Sequence, residues 1–401
     1  MIIHGWSRIP TGAKRLIIYY TLSSIPLSVY VFFPIYMFVL GFSIEIVGVL
    51  LTIYFLLESV SKYIIGRLLD IRLSPRACII FIDTFGAMEN IVYFLASTPG
   101  HFLIAFIIAS VTSPFFVAYR TIEKDLYPRD LLELTYRHHV FWPYLAQLLG
   151  ILIMGFYLWV SGNLLVAIRI LFLLTALLHF LMGVYVYLYI PETSSVVLIR
   201  GKSDKKKHRI VRRALLYFAI AEIIVISSFM VTPSFILQNY LFNVLGFTII
   251  SITIIEAINT AFRGLGSILH EKLEKYGGFL LLVFSLGISS LAGVIMYFTQ
   301  IISNHLILTV IIMISITIMG LGESMWWIQH EAIFLKQVPE DRRGEVFGIV
   351  SSARSIIDII IPTIVALLAS RINPLFPYIV YSLLIISAIP FYFAGIKKIN
   401  D

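Results

Sequence analysis

Charged side chains set inside long apolar runs are the residues of this sequence best placed to do chemistry. Glu222, Glu256, Glu323 and Asp358 each interrupt such a run in the second half of the chain. Glu256, Asn259 and Arg263 fall at i, i+3 and i+7, which is one face of a helix. Glu323 and His330 are seven apart with Glu331 beside them, and Arg354 and Asp358 are four apart. An ionised group at membrane depth is costly unless paired or wetted, so each is a candidate for function. Carboxylates around a cavity let a proton compete with a cationic solute or with a change of conformation. Glu222, Glu256, Glu323 and Asp358 are expected to converge on one cavity, with Arg354 as the deep cation. Glu323 stands out because its nearest partner on its own run is only a histidine. The competing reading makes Arg354–Asp358 and Glu256–Arg263 inert structural pairs.

The first half is sparser. Glu58 and Lys62 have the i, i+4 spacing of an intrahelical pair with the acid first. Lys62 is also within reach of Asp83. Glu89 has no evident basic neighbour and either carries a proton or faces Glu58. Arg169 is expected to snorkel to the interface, and His179 to pack as a neutral ring. Arg137, His138 and His139 lie together without metal-ligand spacing, and the single Cys78 excludes an intramolecular disulfide and a cysteine metal cluster. No cofactor and no metal are expected. Pro26, Pro34, Pro114 and Pro233 sit among serines and threonines, as kinks or as substrate contacts. Trp326 and Trp327 read as packing rings.

The elements that must position these groups follow from composition. Hydrophobic residues make up 59%, charged residues 13%, and mean hydropathy is +0.95, whereas a soluble domain is about 25% charged. A helix needs about 20 apolar residues to cross the hydrocarbon. Twelve such runs are predicted, at roughly 14–40, 46–68, 77–97, 102–122, 138–160, 164–189, 213–238, 246–268, 277–300, 305–328, 345–370 and 374–396. Ten or eleven would remain if a weak run such as 138–160 lay at the interface. Barrel strands would instead read as short alternating segments. The first run is too long for a cleavable leader, and no small-residue cleavage site follows it.

Basic residues orient these runs. Eight of the 30 Lys and Arg fall between Glu192 and Arg213, the longest polar stretch in the chain. Such a stretch stays cytoplasmic. With the N-terminus inside, the inner loops also collect Lys14, Arg15, Arg67, Arg72, Arg76, Lys124, Arg129, Lys272, Lys275, Lys336, Arg342, Arg343, Lys397 and Lys398. The outer turns keep only Glu45 and Arg371. Both ends are therefore expected inside a plasma membrane. The net charge of +8 reads as topology control and contact with anionic lipid, not nucleic acid.

The two halves echo each other. Lys14-Arg15 matches Arg212-Arg213, Pro34 matches Pro233, Gly66–Asp70 matches Gly266–His270, and Tyr127–Asp130 matches Val338–Asp341. This order points to duplication of a six-helix unit. The expected division is 1–191, a basic linker loop 192–213, and 214–401. The match places Gln147 opposite Asp358.

Gly66-Arg67-Leu68-Leu69-Asp70-Ile71-Arg72-Leu73-Ser74-Pro75-Arg76 resembles the Gly-x-x-x-Asp-basic-x-Gly-x-basic-basic signature of the major facilitator superfamily. Gly66, Asp70 and Arg76 match, Arg72 is one place late, and Ile71 and Leu73 depart from it. Val338 to Gly348, running on to Pro362, resembles that superfamily's entry into its eleventh helix. The resemblance implies an all-α membrane protein of twelve transmembrane helices in two pseudo-symmetric six-helix bundles that rock about a midplane cavity. Helices 1, 4, 7 and 10 would be central, and 2, 5, 8 and 11 would help line the cavity. Asp70 would pair across the seam near Gly344, making Gly66, Asp70, Arg72, Arg76 and Gly344 a conformational switch.

The function expected is secondary active transport of a small solute, coupled to protons and directed to export of amphipathic or cationic compounds, by a monomer. The coupling candidates are Glu222, Glu256, Glu323, Arg354, Asp358, Gln147 and Glu58. No Gly-x-x-x-x-Gly-Lys-Ser/Thr run is present to support ATP drive. An uncoupled facilitator is the alternative within the fold. A multi-span enzyme acting on lipid-linked substrate is the alternative outside it, although Glu192, Asp204 and His208 form no convergent constellation in the polar stretch.

Overall fold

The computed structural model describes residues 5–58, 65, 68, 73–193, 205–231, 234–339 and 343–400. Among these it is helical, with no strand. Eleven helices are long and apolar enough to cross a membrane, and a twelfth is shorter. In chain order they are α1 Thr11–Val39, α2 Ile44–Leu57, α3 Pro75–Leu95, α4 Pro99–Leu126, α5 Arg129–Val160 and α6 Leu164–Tyr189. The series continues with α7 Arg213–Val244, α8 Ile249–Tyr276, α9 Gly278–Ile301, α10 His305–Gln337, α11 Gly344–Arg371 and α12 Phe376–Lys398. The helix expected at 46–68 is described as far as Glu58, and Lys62, Gly66, Asp70 and Arg72 lie outside the described residues, as does the side chain of Glu58.

Several helices outrun their apolar stretches. α5 begins at Arg129 instead of 138, α8 reaches Tyr276, and α10 reaches Gln337 instead of 328. The extra turns carry Arg137, Glu271 and Lys336, whose backbones stay helical while their charged heads pair across the molecule. The helix leading into α7 starts at Lys205, so the polar stretch is not loop throughout.

Local chemistry fixes the helix ends. Ser74 caps α3 by accepting from Ala77 N at 3.1 Å, with Pro75 at its first position. Asn163 and Asn304 cap α6 and α10 in the same way. Pro26 lies inside α1, which tightens to a 3-10 segment over Ser28–Phe32. Pro114 likewise opens a 3-10 turn, Ser113–Phe116, within α4.

α3 packs on α6 and α4, and α1 on α5 and α6; in the second half α9 packs on α10 and α12, and α7 on α12. The two sets meet where α5 lies against α8 and α2 against α11. The start of α1 and the end of α12 share one end of the molecule, here the terminal side; the opposite end is the distal side. On the terminal side Arg137 reaches Glu274 at 3.2 Å and Lys336 reaches Glu133 at 3.4 Å, both across the seam. Lys124 Nζ donates to the carbonyl of Leu335. On the distal side the acid Glu45 of α2 faces Ser370 and Arg371 of α11, and uncharged contacts lie beside it. Thr52 and Thr363 share a hydrogen bond of 2.7 Å, and a Cβ at Gly48 would meet Ala366 Cβ at 2.6 Å.

Candidate functional site

A cavity of about 390 Å³ lies between the halves, lined by Glu256, Asn259, Arg263 and Glu323 together with Tyr30, Gln147 and Tyr378. The i, i+3, i+7 face of α8 is thus turned into it as the spacing predicts. The pairing differs from the expected one. Arg263 Nη2 lies 2.5 Å from Glu323 Oε2 on α10, not on Glu256. Glu256 instead receives Gln238 Nε2 at 3.4 Å, and the same amide donates to the Val31 carbonyl across the seam. Arg263 also stands 5.9 Å from the Tyr144 ring centroid. Glu323 is therefore no lone carboxylate: its partner comes from another helix.

A second cavity, about 600 Å³, adjoins the first and shares Leu27, Tyr30 and Gln147 with it. Its walls are aromatic, with Tyr19, Tyr20, Tyr54, Phe116, Tyr119 and Trp327. Three ionisable groups face it on α3 and α6. Asp83 accepts from Tyr19 at 2.9 Å and lies 3.3 Å from His179 Nδ1. His179 is thereby tied to a carboxylate. Glu89 accepts from Tyr93 at 2.8 Å. His139 of α5 also lines this cavity, whereas His138 turns away to meet Trp142 at 3.2 Å.

Towards the terminal side a third group closes the seam. Arg120 of α4 reaches Glu222 of α7 at 2.7 Å and Glu331 of α10 at 2.8 Å. His330 Nε2 lies 3.1 Å from Glu222, and its Nδ1 lies 2.9 Å from the hydroxyl of Tyr392. The guanidinium sits over Phe334 and Phe347, at 4.9 and 5.0 Å from their centroids.

The expected convergence of four carboxylates is therefore seen for two. Glu256 and Glu323 share a cavity; Glu222 belongs to the Arg120 cluster; Asp358 accepts from Ser227 at 3.1 Å and lies 3.4 Å from Arg354 Nε. Neither Glu222 nor Asp358 lines the two cavities. Arg354 pairs with the buried Asp358 away from both cavities, so the cation lining the smaller cavity is Arg263, and Arg120 holds Glu222 and Glu331. Arg169 caps the Ala96 carbonyl, at the end of α3, at 2.6 Å. Arg76 donates to the Tyr187 carbonyl and lies over its ring, tying α3 to the end of α6, while Gly344 is buried at the start of α11.

The family model for the Major Facilitator Superfamily matches residues 16–362. The chain belongs to this superfamily. Solved transporters share its fold at low identity. The E. coli fucose:proton symporter superposes with a TM-score of 0.69 at 12% identity, covering 96% of this chain and 98% of that one. The human organic anion transporter MFSD10 gives 0.66 at 12%, covering 95% and 99%. A bacterial homologue of the iron transporter ferroportin, in an outward-facing state with soaked iron, gives 0.65 at 13%, covering 97% and 99%. No curated protein sequence matches. The superfamily and its transporter neighbours make the chain a transporter, not an enzyme.

In this superfamily member two parts of the site escape sequence reading. Arg120 closes an otherwise apolar stretch, where a basic residue passes for the end of a span. Its partners stand 102 and 211 positions away, beyond any local spacing. Tyrosines lining the larger cavity carry no motif either, since Tyr19, Tyr20 and Tyr119 come from two helices.

Proposed function

We propose that this transporter exchanges protons for an organic cation by alternating access, with the two adjoining cavities as the binding site. The observation that carries the reading is the pairing of aromatic walls with an acid that has no ion pair among the described residues. Glu89 has no ion pair among the described residues and faces a cavity lined by Tyr19, Tyr20, Tyr119 and Trp327. Aromatic faces attract a desolvated cation by about 2 kcal/mol each, and quaternary ammonium groups are recognised this way. A buried carboxylate gives such a cation a counter-charge and gives a proton a competing place. When one binds, the other leaves, so inward proton flow expels the cation. Arg263 would suit an anion, but Glu323 already takes its charge.

The reading includes a plasma-membrane location with both termini cytoplasmic, supported by the clustering of Lys and Arg at one set of connections. It also includes the bundle division at 1–191 and 214–401, with Glu256, Glu323 and Gln147 contributing from the smaller cavity. Reconstituted protein should move tetraphenylphosphonium against an imposed pH gradient. Glu89→Gln should reduce that movement at least tenfold, while counterflow of the probe without a gradient survives. Full proton-driven exchange in Glu89→Gln, or no movement of the cation by the wild type, would exclude the reading.

A further inference from the structure

The cluster that closes the terminal side divides unequally between the two halves. Glu222, His330 and Glu331 stand on α7 and α10 of one half, and Arg120 reaches in from α4 of the other. One carboxylate oxygen from each glutamate and one imidazole nitrogen lie within 4.8 Å of one another. Two carboxylates and an imidazole are a donor set for a divalent first-row metal. Arg120 stands where such an ion would stand, bonded to both carboxylates at once.

Charge sharpens the comparison. Two carboxylates face a single guanidinium, so with a neutral His330 the closed cluster keeps one negative charge. A divalent cation in place of the guanidinium would cancel both. Oε2 of Glu331 has no hydrogen-bond partner among the described residues, although Glu331 is only 1% exposed. A buried oxygen in that position calls for an explanation, and a proton placed on it would find no acceptor.

The imidazole is held as a ligand would be. His330 stacks on Trp326 and Phe334 at interplanar angles of 16° and 19°. Its Nδ1 meets the Tyr392 hydroxyl, which accepts from Trp326 Nε1 at 2.7 Å. A phenol hydroxyl can donate to Nδ1 or accept from it. Nε2 can thus carry hydrogen towards Glu222 when latched, or be bare for a metal when Nδ1 carries it. Support of this kind behind the ring orients metal-bound histidines.

We infer that Glu222, His330 and Glu331 form a binding site for a divalent first-row transition-metal cation, in competition with Arg120. Metal enters when the guanidinium withdraws, and it then favours the arrangement in which α4 has parted from α7 and α10. This holds whatever solute the cavities carry.

Co2+ is the probe, since its absorption reports imidazole and carboxylate ligation directly. Purified wild type, Arg120→Met and Arg120→Gln would be titrated. Both variants should bind one Co2+ at least tenfold more tightly than the wild type, and adding His330→Gln or Glu222→Gln should abolish the signal. Affinity equal to wild type in the folded Arg120 variants, or binding that survives His330→Gln, overturns the inference. Should neither Arg120 variant fold, wild-type protein titrated to saturation decides. A Co2+ spectrum lost in His330→Gln supports the site, and no spectrum overturns it.

Discussion

A Cβ on Gly155 of α5 would lie 2.7 Å from the Cβ of Thr253 on α8, well inside the contact distance of two carbons. The two halves of the molecule approach closely here, and Thr253 is held in place by its own bond to the Ile249 carbonyl at 2.8 Å. Gly155→Ala should therefore destabilise by about 1–3 kcal/mol, the usual range for overpacking. Thermal unfolding in detergent reads the loss, and Thr253→Ala in the same chain should recover part of it. Independent, additive losses would show that the two positions do not share one contact.

Arg263 and Glu323 form an ion pair between α8 and α10 inside the smaller cavity. Breaking a pair by removing one partner leaves the other charge uncompensated, which costs more than removing both. Glu323→Gln should lower both the unfolding temperature and proton-driven transport. Arg263→Met/Glu323→Gln should restore much of the temperature and none of the transport. Intact proton-driven uptake in Glu323→Gln alone would take this carboxylate out of the coupling step.

Asp358 sits with Ser227 and Arg354, away from both cavities. Asp358→Asn keeps an acceptor for the serine hydroxyl. It should change solute affinity less than twofold while lowering stability by about 1 kcal/mol, the worth of a weakened buried hydrogen bond. Binding measured beside melting separates the two effects; a large fall in affinity would move Asp358 into the binding site.

Thr52 and Thr363 meet across the distal side at 2.7 Å between hydroxyl oxygens. Cysteines at both positions should cross-link on mild oxidation. The native Cys78 is buried, so the background should be low. Cross-linking should stop transport, and reduction should restore it, if α2 and α11 part during each cycle. Transport that continues in the cross-linked protein would mean that this contact never opens.

Much of the architecture could be read from apolar run length, because a span of given thickness dictates helix length regardless of what the helix touches. The face shared by Glu256, Asn259 and Arg263 was equally legible, being a matter of periodicity within one helix. What each charge pairs with was not. Arg263 chose Glu323 over Glu256 because a partner on a neighbouring helix stood nearer than the one on its own, and Asp83 meets Tyr19 and His179, which no spacing within α3 announces. Helix ends were misplaced for a related reason. α5 and α10 stay helical past their apolar limits, where Arg137 and Lys336 find acids on facing helices.

The two sides of the seam are fastened by different physics. Exposed ties such as Lys336–Glu133 weaken as dissolved salt shortens the reach of charge, to about 8 Å at physiological strength. Gly48 against Ala366 is a steric fit that ions do not touch. Salinity thus weakens the charged ties at the terminal mouth while this packed contact holds, so the resting balance between open forms follows the ionic content of the surrounding water.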